Sequence, residues 1–213
     1  KMRLILGLLF LLPIMLRAQD QPKLQLNGYI KDMVTWTVNN GSPNYLDNLI
    51  HNRLNLHWYP SEALTGKLEI RNRLFVGDLA TEFYPLYSSF IDVNNDYFDL
   101  SWTPIDEKGV LFHTMVDRVF LRYNKNNWEA TVGRQRINWG KNLVWNPNDI
   151  FNAYSFFDFD YEERPGSDAI RIKRFTGYTS EVEFAFNVAE TWREVTSALR
   201  YQMNAGQYDI QFF

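Results

Sequence analysis

Eleven basic residues stand mostly at alternate positions within short runs of this 213-residue chain. They are Arg53, Lys67, Arg71, Arg73, Arg118, Arg122, Arg134, Arg136, Arg171, Lys173 and Arg200. Cations gathered on one face of a confined passage attract anions and set its charge preference. The acids expected on the same face are fewer: Glu69, Glu129, Glu181 and Glu183. The residue types leave two roles open. The cations either receive anionic solutes or pair with the acids to brace and hydrate a wall.

Other reactive groups are sparse. There is no cysteine, so thiolate chemistry, disulfides and cysteine metal sites are excluded. His51 and His57 lie about 20 Å apart along an extended chain, too far to share a metal, and His113 is isolated. Asp92-Val93-Asn94-Asn95-Asp96 starts like a calcium loop. Tyr97 occupies the position that needs glycine, and Thr103 the position that needs glutamate. Asp158, Asp160, Glu162 and Glu163 read as a solvated or arginine-paired run. No G-x-S-x-G, Walker loop or H-E-x-x-H is present. The expectation is a protein that is not an enzyme and holds no metal or cofactor. A formal net charge of -3 argues against a nucleic-acid partner.

The elements that position these cations follow from periodicity. Arg118, Phe120 and Arg122 alternate with Val119, Leu121 and Tyr123, and Arg171 and Lys173 alternate with Ile170 and Ile172. A period of two means strand. One basic and one apolar face excludes a strand buried on both sides. The pattern predicts strands at about 24–38, 48–58, 64–76, 110–123, 128–136, 167–175, 180–188, 195–203 and 208–213, about nine in all. Val132 and Arg134 share parity, which predicts a bulge at Gly133 that re-aims the arginines inward. Irregular excursions are expected at 77–109 and 137–165.

Tight connections are expected at 59–63, 124–127, 176–179 and 204–207, and they alternate with long ones. Aromatics gather at the tight turns: Trp58, Tyr59, Tyr123, Trp128, Tyr178, Tyr201 and Tyr208. One rim of short turns with an aromatic girdle, opposite a rim of loops, is the asymmetry of an outer-membrane barrel. The fold class expected is therefore an all-β, antiparallel, up-and-down transmembrane β-barrel. A soluble secreted β-sandwich binding module is the alternative. Residues 1–18 read as a signal peptide, with an apolar run at 4–16 and a small residue at Ala18. Residues 19–213 then form the barrel domain, expected to be an N-terminal fragment of a larger barrel because the last strand ends without a closing turn.

The stretch 133–166 carries a family resemblance. It contains Gly133, Arg134, Gln135, Ile137, Trp139 and Gly140, then Asn146, Pro147 and Asp149, then Glu162, Glu163, Arg164, Pro165 and Gly166. It resembles the porin-like outer-membrane barrels of the alginate-export and phosphate-selective type, although Glu163 and Arg164 are adjacent here rather than spaced. The resemblance implies a pore with this loop folded into the lumen as a constriction. The loop's chemistry agrees: Ile150, Phe151, Tyr154, Phe156, Phe157 and Phe159 are too apolar for a solvated loop. The constriction residues expected are Asn146, Pro147, Asp149, Phe151, Tyr154 and Phe157. The implied function is passive passage of small polar or anionic solutes across the outer membrane, with lipid as the other partner. Polysaccharide export or assembly is the alternative for the same fold.

Overall fold

The computed structural model describes residues 22–92, 96–140, 148–151 and 166–213. Residues 1–18, most of the calcium-like stretch, Asn146, Pro147, Tyr154, Phe157 and the acidic run 158–163 lie outside the described residues.

Alternating side chains that pair with their neighbours build one antiparallel sheet of ten strands. These are β1 (Leu24–Thr37), β2 (Tyr45–Ser61), β3 (Leu64–Gly77), β4 (Ser101–Glu107), β5 (Val110–Lys125), β6 (Trp128–Gln135), β7 (Ser167–Phe175), β8 (Glu181–Asn187), β9 (Ser197–Ala205) and β10 (Tyr208–Phe212). Two short helices, α1 (Asp78–Glu82) and α2 (Leu86–Ile91), follow β3. The order is β1-β2-β3-β5-β6-β7-β8-β9-β10, with β4 beside β5. The sheet is not closed: β1 and β10 are its edges. Antiparallel pairing of sequence neighbours and the short turns at 62–63, 126–127 and 206–207 follow the expected pattern.

Two features differ from the sequence reading. The stretch 77–109 is not wholly irregular, because it contains α1, α2 and β4, and the strand count is ten. Pro104 breaks the ladder of β4 between Trp102 and Ile105, which hides the strand's period. No extra residue is inserted at Gly133: Phe120, Gly133 and Ala169 oppose one another in register. Gly133 instead adopts φ 116°, and a Cβ there would meet the carbonyl of Val119 and come within 3.0 Å of Phe120 Cα. Only glycine takes that conformation readily. The irregularity lies one strand away at Asp117, where β5 slips against β3 between Val116 and Arg118.

The two faces are unlike, and in the reverse sense to a water-soluble sheet. One face carries Leu26 (66% exposed), Ile30 (74%) and Trp36 (70%), and then Leu54, Val119, Leu121, Val132 and Ile170, all exposed. The other carries charges that are covered: Arg53 and Glu69 are 2% exposed and Glu183 is 1%. Among the described residues the charged side also carries buried Leu111 and Phe120 and a small apolar cluster. The cluster joins Ile137, Trp139 and Phe151 to Ala169 and Ala185, with Ala198 packed against it.

Candidate functional site

Register places the charged side chains in rows across the inner face. Opposed residues on adjacent strands share a face and stand close enough to pair. His51, Arg73 and His113 form one row; Arg53, Arg71 and Met115 the next; then Asn55, Glu69 and Arg118. Nearer the tight turns, Glu129, Lys173, Glu183 and Arg200 form another row, with Arg122, Thr131 and Arg171 beside it.

The first cluster gathers around two carboxylates. Arg53 donates from Nη1 to Asp117 Oδ2 and from Nη2 to Glu69 Oε2, both at 2.5 Å. Arg71 reaches Asp117 Oδ1 at 3.0 Å, and Arg118 reaches Glu69 at 3.2 Å. Lys67 also pairs with Glu69. Burying a charge in this way is sustainable only where partners are present. Asp117, set at the slip in β5, escaped the sequence reading. Its signal was the change of parity between His113 and Met115 on one side and Arg118, Phe120 and Arg122 on the other.

The second cluster joins Arg122, Arg171, Lys173 and Arg200 to Glu129, Glu181 and Glu183. Arg171 stands 3.1 Å from Glu129 and Arg200 2.6 Å from Glu183; Arg200 also pairs with Glu181. Lys173 lies 3.5 Å from Glu183. Arg122 is the loosest member, 3.8 Å from Glu129, with its side chain 36% exposed.

An inner strap crosses above this cluster. Beyond β6 the chain turns over the inner face and buries Ile137 and Trp139. Trp139 Nε1 donates to Glu183 Oε1 at 3.0 Å, and its ring meets Phe151 edge-on at 5.2 Å. The Arg200 guanidinium lies 5.6 Å from the Trp139 ring. Ala185 and Ala198 are opposed in register, and with Ala169 they supply a floor low enough for these rings. Ser167 Oγ ties down the carbonyl of Phe151 at 2.6 Å. Phe151 is buried and Asp149 half-buried. Arg136, just beyond β6, is half-buried.

Arg134 stands apart from the other cations. It opposes Val119 and Asp168 and shares the face of Val132 and Ile170 rather than that of Arg118 and Arg122. Glycine at 133 changes the backbone without shifting the pairing, so the parity slip does not carry Arg134 inward. The side chain fills the junction where β4 stops and β6 leaves the sheet. It holds Asp168 through Nε–Oδ1 at 3.0 Å and Nη2–Oδ2 at 2.9 Å. It also donates to the carbonyls of Phe98 and Val116. Phe98 N–H returns a bond to Asp168 at 2.8 Å, which pins the 96–100 segment over the pair.

Asp96 lies 3.6 Å from Arg134 as a second carboxylate. Burial and the nearby Asp168 charge push its carboxyl up to about 6, although Arg134 acts in the opposite sense. Its folded-state value lies above the unfolded one, so the folded protein takes up a proton as the pH falls. Stability should therefore rise from neutral pH down through about 6, levelling off near the usual carboxylate range. A carbon-detected NMR titration of Asp96 should give a midpoint near 6. Asp96→Asn should abolish the gain in stability between neutral pH and pH 5, whereas a midpoint near 4 would refute it.

The calcium-like pattern does not bring its carboxylates together. Asp92 accepts from Ser101 Oγ at 2.7 Å and Thr103 Oγ1 at 3.2 Å, while Asp96 faces Arg134. Burial raises the Asp92 carboxyl, but these hydroxyls and His113 outweigh it and hold the group low. Arg73 Nη2 stands 3.3 Å from His113 Nδ1, and His113 Nε2 3.3 Å from Asp92. A guanidinium only donates, so Nδ1 accepts and Nε2 carries the hydrogen.

Comparison with known protein families, curated proteins and solved structures returns no match. The class defined by the described residues is an all-β protein with one antiparallel sheet, one apolar face and one ion-paired face.

Proposed function

We propose that this chain forms wall of an outer-membrane β-barrel channel, porin-like and without enzymatic activity, that passes small polar or anionic solutes passively. The carrying observation is the inverted sheet: its apolar face is exposed and its charged face is covered. Water penalises that arrangement, whereas lipid outside and an aqueous or polar interior favour it. Exposed aromatics at both strand ends support the reading. Trp58, Tyr123, Trp128 and Tyr208 stand near the tight turns, and Trp36 and Trp102 stand nearer the loops. Such girdles suit the two membrane–water interfaces.

The inner cations act mainly through their pairs. Carboxylates near Arg53, Arg71, Arg171 and Arg200 offset most of the field those side chains would present to a solute. Among the ion-paired inner cations, Arg122 most nearly reaches open space. The channel should therefore prefer anions only modestly, and the preference should fade in high salt. Planar-bilayer reversal potentials of the full chain test this. Anion preference that falls in Arg122→Gln supports the reading. Protein that inserts without conducting overturns the channel, and cation preference overturns the role of the arginines.

A further inference from the structure

Every arginine of the described strands but one makes a hydrogen bond or an ion pair through its guanidinium. The exception is Arg174 on β7, whose guanidinium instead lies 5.2 Å from the centre of the Trp128 ring. Arg174 and Trp128 are opposed in register, and Trp128 is opposed in turn to Lys125, whose ammonium is likewise unpaired. The row Lys125–Trp128–Arg174 shares the face of Val132 and Ile170, the apolar outer face, and it sits at the tight-turn rim.

An open hollow of about 580 Å³ lies at this row, lined by Asn126, Asn127, Trp128, Arg174, Phe175 and Thr176. Above it, small Ala130 opposes Ile172, and Val132 opposes Ile170. That apolar track leads to a second hollow of about 390 Å³, bounded by Phe98, Leu100, Val119, Val132 and Ile170, with the Arg134–Asp168 pair also in its lining. Arg174 lies six positions along the chain from Asp168, a path of about 20 Å, longer than the roughly 15 Å depth of one leaflet of hydrocarbon.

We propose that Lys125, Trp128 and Arg174 clamp the phosphate of an anionic phospholipid whose acyl chain lies along Ala130, Ile172, Val132 and Ile170. The inference rests on the membrane-wall reading above. Two unpaired cations supply the charge that a phosphodiester needs, and a guanidinium can present two parallel donors to it. The indole face holds Arg174 in place and sits where interfacial tryptophans sit. A paired cation could offer neither service, and the inner-face arginines are all engaged elsewhere. Lipid, rather than free phosphate, is the occupant because the cations stand at the foot of an exposed apolar track.

The full chain, reconstituted in phosphatidylcholine nanodiscs doped with phosphatidylglycerol, provides the test by native mass spectrometry. Retention of phosphatidylglycerol should fall about fivefold in Lys125→Gln or Arg174→Gln and roughly thirtyfold in the double variant. Arg193→Gln, in an exposed loop, should retain lipid like the wild type. Excess inorganic phosphate should not displace the lipid. Equal retention in inserted wild type and double variant would overturn the clamp and leave the membrane wall standing. Displacement by phosphate would overturn the lipid in favour of a free-anion site. A chain that does not enter nanodiscs at all would remove both the clamp and the membrane reading.

Discussion

Asp168→Ala should destabilise the folded protein by about 3–5 kcal/mol, because it strips a buried guanidinium of its two-bond counter-charge and leaves only the more distant Asp96. Arg134 has a side chain 1% exposed and is held by Asp168 through two parallel bonds. The same carboxylate fixes the Phe98 N–H. Removing it therefore breaks the pair and loosens the 96–100 segment that covers the junction of β4 and β6. High salt should not repair the loss, since screening acts weakly on buried charges. The double change Arg134→Met and Asp168→Leu should be much milder, because the guanidinium leaves with its partner and Asp96, already raised to about 6, can bind a proton. Urea unfolding in detergent micelles measures both. A loss below about 1 kcal/mol for Asp168→Ala would show that the junction is wetter and looser than described.

Trp139→Ala should cost about 3–5 kcal/mol and free the inner strap. The indole is 2% exposed and packs against Phe151, with Ala169, Ala185 and Ala198 in the cluster beneath. Alanine would leave a cavity, and Glu183 would lose the Nε1–H donor. Trp139→Phe should keep most of the packing and lose about 1 kcal/mol with the hydrogen bond. If the inner face lines a passage, Trp139→Ala should also raise single-channel conductance, and Trp139→Phe should barely change it. Unchanged stability in Trp139→Ala would mean that the strap is held from elsewhere.

The strand ladder was legible in the sequence because a period of two survives any noise in composition. Alternation marks β3 to within one residue and β7 at its observed bounds. The inward acids Glu69, Glu129, Glu181 and Glu183 were legible for the same reason, and each lies in an ion pair. What parity cannot convey is a partner from a distant strand. Asp168 lies thirty-four residues from Arg134 in the chain, and nothing local marks the two as a pair. Gly133 signalled a special backbone, but sequence alone does not separate an inserted residue from a glycine at positive φ. β4 stayed hidden because Pro104 interrupts a short strand that pairs with only one neighbour. The alanine floor was unreadable because alanine marks no face until a tryptophan lies on it.

The most direct test of the membrane wall is a nitroxide scan along β5 from Arg118 to Tyr123 in the reconstituted full chain. Each label reports its access to oxygen, which partitions into lipid, and to a polar nickel chelate, which does not. Labels at Val119, Leu121 and Tyr123 should favour oxygen. Labels at Arg118, Phe120 and Arg122 should be restricted or favour nickel, giving a period of two with one face in lipid. Nickel access at Leu121 equal to that at Arg122, or oxygen preference on the arginine face, would contradict the account.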